Sequence, residues 1–129
     1  RLSQERFHAF MDNIPALAWM KDEAFRYVYA NRALQRFSGR SQSELSGSDD
    51  FDLFPADVAA ELRRNDERTL AGDATLEVTE TLQDAAGRPH VLMVLKFPMR
   101  DAAGSRFICG VGMDISEREF NSFVESVER

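Results

Sequence analysis

Hydrolytic catalysis needs a nucleophile held beside a base, and the base is most often a histidine. The chain offers two histidines, His8 and His90. His8 falls inside an amphipathic stretch and His90 opens a strand-like run, neither in a triad-like setting, so both read as ordinary surface or packing residues. Cys109 is the one cysteine. It excludes an internal disulfide and a multi-cysteine metal site, and a reducing, cytoplasmic setting follows as the default. Asp49-Asp50-x-Asp52 gathers acids, but a calcium loop would also need a glycine after the third acid and a distant glutamate. The run reads as a solvated loop, with no metal. A P-loop and a glycine-rich dinucleotide fingerprint are both missing. An enzyme would further need polar groups converging in a cleft, and none stands out along the chain. The expectation is a non-enzymatic domain.

The elements that position these residues follow from periodicity. Phe7, Phe10, Met11 and Ile14 recur at helical spacing after Ser3, a candidate N-cap, and Pro15 closes the helix. Ala16 to Met20 is a short apolar strand, Lys21 to Ala24 a polar turn, and Phe25 to Tyr29 a second, aromatic and β-branched strand. Asn31 can cap a short helix that stops near Gly39. Ser41-Gln42-Ser43-Glu44 has the capping-box pattern of another helical turn. Asp49 to Phe54 is a connector, and Pro55 suits the first turn of a longer helix running to Gly72. The second half alternates instead. Leu76, Val78 and Glu80 oppose Glu77, Thr79 and Thr81 along one strand. His90 to Met99 and Phe107 to Ile115 form two more, and the turns between the three fall at Gly87 and Gly104. Gly110 and Gly112 leave room for something to pack closely on one face of the last strand. Phe120, Phe123, Val124 and Val127 then mark a terminal helical stripe. Helix, two strands, short helices, three strands and helix together predict an α+β domain with a five-stranded antiparallel sheet covered on one face by short helices.

Composition narrows the function. The 129 residues fit one core. A net charge of -6 argues against nucleic acid and against an anionic membrane surface. No apolar run approaches the ~20 residues needed to cross a bilayer. The N-terminus reads Arg-Leu-Ser-Gln-Glu-Arg, without a signal peptide or a Met, which suggests a piece of a longer protein.

Several local patterns resemble one family. Phe10-Met11-Asp12-Asn13-Ile14-Pro15 is similar to the opening of a PAS domain. Tyr29-Ala30-Asn31-Arg32-Ala33 resembles its "vNpA" pattern, and Phe37-Ser38-Gly39-Arg40-Ser41 with Glu44-Leu45-Ser46-Gly47 its "tGys.eEliG" stretch. Most specific is Gly110-Val111-Gly112-Met113-Asp114-Ile115-Ser116-Glu117-Arg118, which resembles the "G..g...DITerk" signature at the hand-over to an output helix, with Ser116 in place of the usual threonine. The resemblance runs from about Phe7 to Arg118, each motif weak alone and strong in combination. It implies a PAS-like fold, with residues 1–14 as N-terminal flanking helix, 15–116 as core and 117–129 as the start of a signalling helix.

The resemblance further implies a cytoplasmic sensory module of a larger signalling protein, of the histidine kinase or diguanylate cyclase type. That module would sense a small ligand or mediate dimerisation, with the output domain in the same chain and no direct membrane contact by the domain itself. The alternative is a ligand-free interaction and dimerisation domain. Photoactive flavin members carry a reactive cysteine in the middle helices, where this chain has Asp49 to Phe54, and haem-binding members a histidine on the long middle helix, where this chain has none. Covalent flavin and haem are therefore not expected; noncovalent flavin stays open. The expected pocket lining is Phe25, Tyr27, Phe37, Phe51, Phe54, Val58, Leu62, Met93, Leu95 and Cys109, residues that could equally fill the core. Trp19 could stack on a ring ligand or simply pack. Asp114, with Ile115 and Ser116, is expected to couple sheet to exit helix by capping backbone N–H groups of residues 116–118, with a salt bridge to a basic residue as a second anchor. Phe7, Phe10, Met11, Ile14, Phe120, Phe123, Val124 and Val127 are expected to form the homodimer contact.

Overall fold

Alternation in the second half of the chain gives three long strands, and the short hairpin near the N-terminus joins them edge to edge. In the computed structural model, which describes residues 2–115 and 124–128, the order of elements is α1 (Leu2–Asp12), β1 (Leu17–Asp22), β2 (Tyr27–Ala30), α2 (Arg32–Ser38), α3 (Gln42–Leu45), α4 (Asp50–Leu53), α5 (Ala56–Gly72), β3 (Leu76–Gln83), β4 (Pro89–Arg100) and β5 (Arg106–Asp114). The strands form one sheet in the order β2-β1-β5-β4-β3, antiparallel at every junction. The α+β expectation is met. No helix among the described residues is long and apolar enough to cross a membrane.

Local chemistry sets the helix boundaries. Asn31 caps α2 and does more besides. It is fully buried, accepts from the Ala18 and Leu34 amides and donates to the Met11 and Ala16 carbonyls. One amide side chain thus ties the end of α1, the start of β1 and the start of α2, with its donors and acceptor all engaged. Ser41 and Glu44 form the expected capping box of α3. Asp49 and Asp52 form a second one, so the stretch read as a connector is the short helix α4. Its acids sit at a helix N-terminus, where negative charge is favoured.

Three boundaries differ from expectation. Ser3 lies within α1 rather than capping it. Lys21 and Asp22 belong to β1 rather than to a turn, because β5 pairs along the whole strand and reaches Asp22 through Phe107. Phe25 lies in the β1–β2 turn in the left-handed region, at φ 65, where a non-glycine residue is uncommon.

Register divides the sheet into two faces. Leu17, Trp19 and Lys21 on β1 share the helix-covered face with Gly112, Gly110 and Ile108 on β5 and with Val94 and Lys96 on β4. The core on this face holds Leu17, Trp19, Tyr27, Leu34, Leu45, Leu62, Leu82, Leu92 and Val94. Trp19 explains the paired glycines. Its indole lies directly on Gly110, where any added Cβ would collide with the ring, and its far edge touches Gly112.

Candidate functional site: a polar interior beside an open groove

The helix-covered face carries a chain of buried charges. Lys21 donates to Asp50 at 2.5 Å and to Asp66 at 2.7 Å. Lys96 donates to Asp66 at 2.9 Å and pairs with Glu80 at 2.8 Å. Tyr27 donates its hydroxyl to Asp50 at 2.7 Å, and Asn65 donates to Glu80 at 3.1 Å. All seven residues are buried. They come from β1, β2, α4, α5, β3 and β4, so the cluster exists only when the whole domain is assembled.

Its electrostatics are those of charges held out of water. Burial would lower the Lys21 pKa, but the adjacent Asp50 and Asp66 carboxylates outweigh it and raise it. Burial would likewise raise Asp66, but Lys21 and Lys96 hold it below the usual carboxylate range. Tyr27 is pushed well up, first by burial and then by Asp50. Buried ions of this kind are stable only while each keeps its partners.

A small interior cavity of about 20 Å³ is bounded by Trp19, Lys21, Tyr27, Asp50, Glu80 and Lys96 on its polar side, with Leu17, Leu62 and Phe54 among its apolar walls. Next to it, a groove of about 660 Å³ runs between α2–α5 and the β3–β4 end of the sheet. Tyr27, Leu34, Phe54 and Leu82 line both spaces and form the partition between them.

The expected pocket residues divide accordingly. Tyr27, Phe37, Phe54 and Val58 line the groove, and Leu62 lines the interior cavity. Phe25 and Phe51 do not reach either. Both rings lie against the Arg63 guanidinium, at 4.5 Å and 5.2 Å, and Phe51 is exposed. Met93 and Leu95 are exposed on the opposite face of the sheet, because β4 turns Leu92, Val94 and Lys96 inward and register leaves the alternate residues out. Cys109 is buried but pairs with Met20 and Phe97 on that same outer face. Burial raises its thiol pKa. The core-packing reading of Trp19 holds for its ring, while its Nε1–H is buried without a hydrogen-bond partner among the described residues.

The sequence reading missed Lys21, Asp50, Asn65, Asp66 and Lys96, and with them the convergence of polar groups it did not expect. A signal existed. Lys96 interrupts the inward phase of an apolar strand, and Asn65 and Asp66 sit on the stripe of α5 that also carries Leu62 and Thr69.

His90 was also underrated. Its Nε2 meets Asp84 at 2.8 Å and its Nδ1 meets Asp114 at 2.7 Å, and Phe37 packs edge-on against the ring at 5.0 Å. The bond to Asp84, followed by that to Asp114, raises the His90 pKa, and the same contact with His90 lowers that of Asp84. The basic partner expected for Asp114 is therefore His90. The Asp114 cap on residues 116–118 lies outside the described residues, as do Ser116, Phe120 and Phe123. Ile115 donates its amide to the Val91 carbonyl at 2.8 Å, which continues the ladder just past β5.

Of the expected dimer residues, Phe7 and Phe10 are exposed on α1, Met11 and Ile14 are half-buried, and Val124 is half-buried beside the exposed Val127. A second apolar surface was not anticipated. Val91, Met93, Leu95, Met99 and Met113 are exposed together on the outer sheet face.

A five-stranded antiparallel sheet, short helices over one face, an interior cavity and a strand ending in Asp114 match one known family, whose profile, described as the PAS fold, covers residues 11–119. The chain belongs to the PAS fold family. It is 30% identical over 118 residues to the methanogenesis regulatory histidine kinase FilI of Methanothrix harundinacea, a match covering 90% of this chain and 13% of that protein. It is 27% identical to the aerobic respiration control sensor protein ArcB of Escherichia coli, covering 94% of this chain and 15% of ArcB. The chain thus spans a small part of these signalling relatives. Among solved structures, VqmA of Vibrio cholerae in a ligand and DNA complex superposes with a TM-score of 0.78 at 25% identity, over 91% of this chain and 53% of that one. A PAS domain from a two-component sensor histidine kinase superposes at 0.72 with 15% identity, covering 88% and 97%, which speaks to the fold.

Proposed function

We propose that this domain is the ligand-sensing and dimerising module of a larger signal-transduction protein, and that it passes its state to the segment following β5. The observation that carries the reading is the polar interior. A core built only for stability would fill this space with apolar side chains, since a buried ion cluster adds little stability over a well-packed apolar one. Here five of the seven clustered polar residues, Lys21, Tyr27, Asp50, Glu80 and Lys96, line a cavity beside an open groove, an arrangement suited to a small molecule. Support also comes from the relatives. FilI and ArcB are named as a histidine kinase and a sensor protein, and VqmA is described bound to a ligand. The histidine kinase type is favoured over the cyclase type on that ground. The net charge of -6 supports assigning any nucleic-acid contact to another part of the parent protein.

The route out of the site runs along one edge of the groove. Asp84 lines it, His90 bridges Asp84 to Asp114, and Asp114 ends β5. A ligand that opens the groove alters the seat of His90 and so the direction in which the chain leaves the sheet, a shift between two arrangements rather than a new structure. The exposed apolar residues of α1 and of the outer sheet face supply the dimer contact. The test is native mass spectrometry of the domain purified without refolding, paired with phosphorylation assays of the full-length protein. A retained small molecule, or a dimer whose parent activity responds to small-molecule extracts, is expected. A ligand-free monomer whose deletion leaves parent activity unchanged would refute the reading.

A further inference from the structure

The chemistry of the interior site restricts what it can hold, an inference that rests on the sensor reading above. Three observations set the terms. First, Trp19 is 7% exposed, lines the interior cavity, and leaves its Nε1–H without a partner among the described residues. Register places Trp19 and Lys96 on either side of Gly110 on the same face, with the nitrogen-bearing edge of the indole lying over the glycine. Second, the Lys96 ammonium has three protons, and its protein partners among the described residues are Asp66 and Glu80 alone. Trp19, Lys96 and also Lys21, whose ammonium has only Asp50 and Asp66 as partners among the described residues, therefore border the same small space with hydrogen-bonding capacity to spare, and an unpaired buried donor is costly. Third, the cluster sets Asp50, Asp66 and Glu80 against Lys21 and Lys96, one negative charge in excess.

The donors call for an acceptor, yet the excess negative charge opposes an anion. Three aromatic rings, Trp19, Tyr27 and Phe54, line the same cavity, and rings of this kind favour offset or edge contacts with another ring. The cavity itself, about 20 Å³, has room for about one water. Anything larger must also occupy the groove across the partition of Tyr27, Leu34, Phe54 and Leu82. We propose that the ligand is a small neutral ring compound that presents a carbonyl, hydroxyl or ring-nitrogen acceptor to Trp19 Nε1–H and Lys96, with its apolar part lodged between Phe54, Leu34 and Leu82.

The single tryptophan gives a clean reporter, because the domain has one indole N–H resonance. Three probes of similar size separate the possibilities: 2-pyridone, neutral with a carbonyl acceptor; benzoate, an anion; and toluene, without an acceptor. The expected result is a saturable downfield shift of the indole proton with 2-pyridone, and binding of benzoate and toluene about tenfold weaker or less. A factor of ten is the scale of about one hydrogen bond to a charged or buried group. Trp19→Phe keeps a ring over Gly110 and removes the donor. By calorimetry it should weaken 2-pyridone about tenfold while thermal melting stays cooperative. Benzoate or toluene binding as well as 2-pyridone would overturn the ligand class and leave the sensor reading standing, as would an unaltered affinity in Trp19→Phe. If none of the probes binds, a small molecule retained in native mass spectrometry would again reject the class alone. Its absence there would reduce the cavity to a one-water site and reject the class together with the ligand-sensing half of the reading above.

Discussion

Lys96→Met is the sharpest test of the buried cluster. Lys96 is 1% exposed and holds Asp66 at 2.9 Å and Glu80 at 2.8 Å. Methionine keeps the unbranched shape and removes the charge, so packing changes little. Asp66 then retains Lys21, but Glu80 retains only the Asn65 amide, and the cluster carries two negative charges in excess instead of one. Removing one partner of a buried ion pair typically costs about 3–5 kcal/mol, a large share of a stability of about 5–15 kcal/mol. With a urea m value of about 2 kcal/mol/M, the midpoint should fall by about 1.5–2.5 M. Acid should recover part of the loss, because protonating a stranded carboxylate removes the excess charge. Lys96→Met/Glu80→Met should also recover most of it, since replacing a whole buried pair by apolar side chains is often neutral. Equilibrium urea titrations of the wild type, Lys96→Met, Glu80→Met and the double variant, at neutral and at mildly acid pH, give the cycle. A loss below about 1 kcal/mol, the scale of an exposed pair, or a double variant no more stable than the single one, would refute the reasoning.

The remaining predictions concern the sheet floor and its exit. Gly110→Ala drives a Cβ into the Trp19 indole; the expected cost is about 1–3 kcal/mol, read by thermal melting together with a change in the emission of the single tryptophan. The His90 pKa is raised above its ordinary 6.5 by Asp84 and Asp114, so its contribution to stability is complete below about 6.5 and disappears as pH rises through the raised value. Asp84 is lowered from 3.8, and its contribution is lost as pH falls through its folded value. Melting temperature against pH should therefore decline on the alkaline side in the wild type and lose that slope in His90→Gln. Asp114→Ala should leave the domain folded, since Asp114 is exposed at the end of β5 and an end-of-strand contact of this kind is worth about 1 kcal/mol. The same loss should shift the basal output activity of the full-length protein about fivefold. Finally, Leu95→Glu on the outer sheet face combined with Phe10→Glu on α1 should give a monomer by sedimentation, with little change in melting temperature, because both residues are exposed.

Much of the fold was legible in the sequence because the devices that set it are local. As helix caps, Asn31, Ser41 and Glu44 act on amides within a few residues of themselves, and alternation along β3 and β4 is set by the pleat of a single strand. Gly110 and Gly112 also indicated room for something to pack closely on one face of β5. What lies there was not local. Trp19 comes from β1, ninety residues away along the chain by roughly that count, and reaches the glycines only through the β1–β5 register.

The candidate site depended still more on assembly. Periodicity could state that Lys96, Glu80 and Asp66 occupy inward phases, yet an inward polar residue is costly until its partner is known. These residues and their partners come from six segments whose meeting is decided by strand order and by the docking of α4 and α5. The pocket reading failed at Met93 and Leu95 for a related reason. Both are apolar residues in an apolar strand, and composition does not say which face the helices cover. The answer came from β4, where Leu92, Val94 and Lys96 are almost completely buried and their neighbours are not. Likewise, His90 and Asp114 lie on adjacent strands, and only the antiparallel pairing of β4 with β5 brings them together. The sequence by itself determined most of the elements, their order and the family resemblance; the tertiary structure decided which charges share the interior, because a buried ion is placed by all of its partners at once.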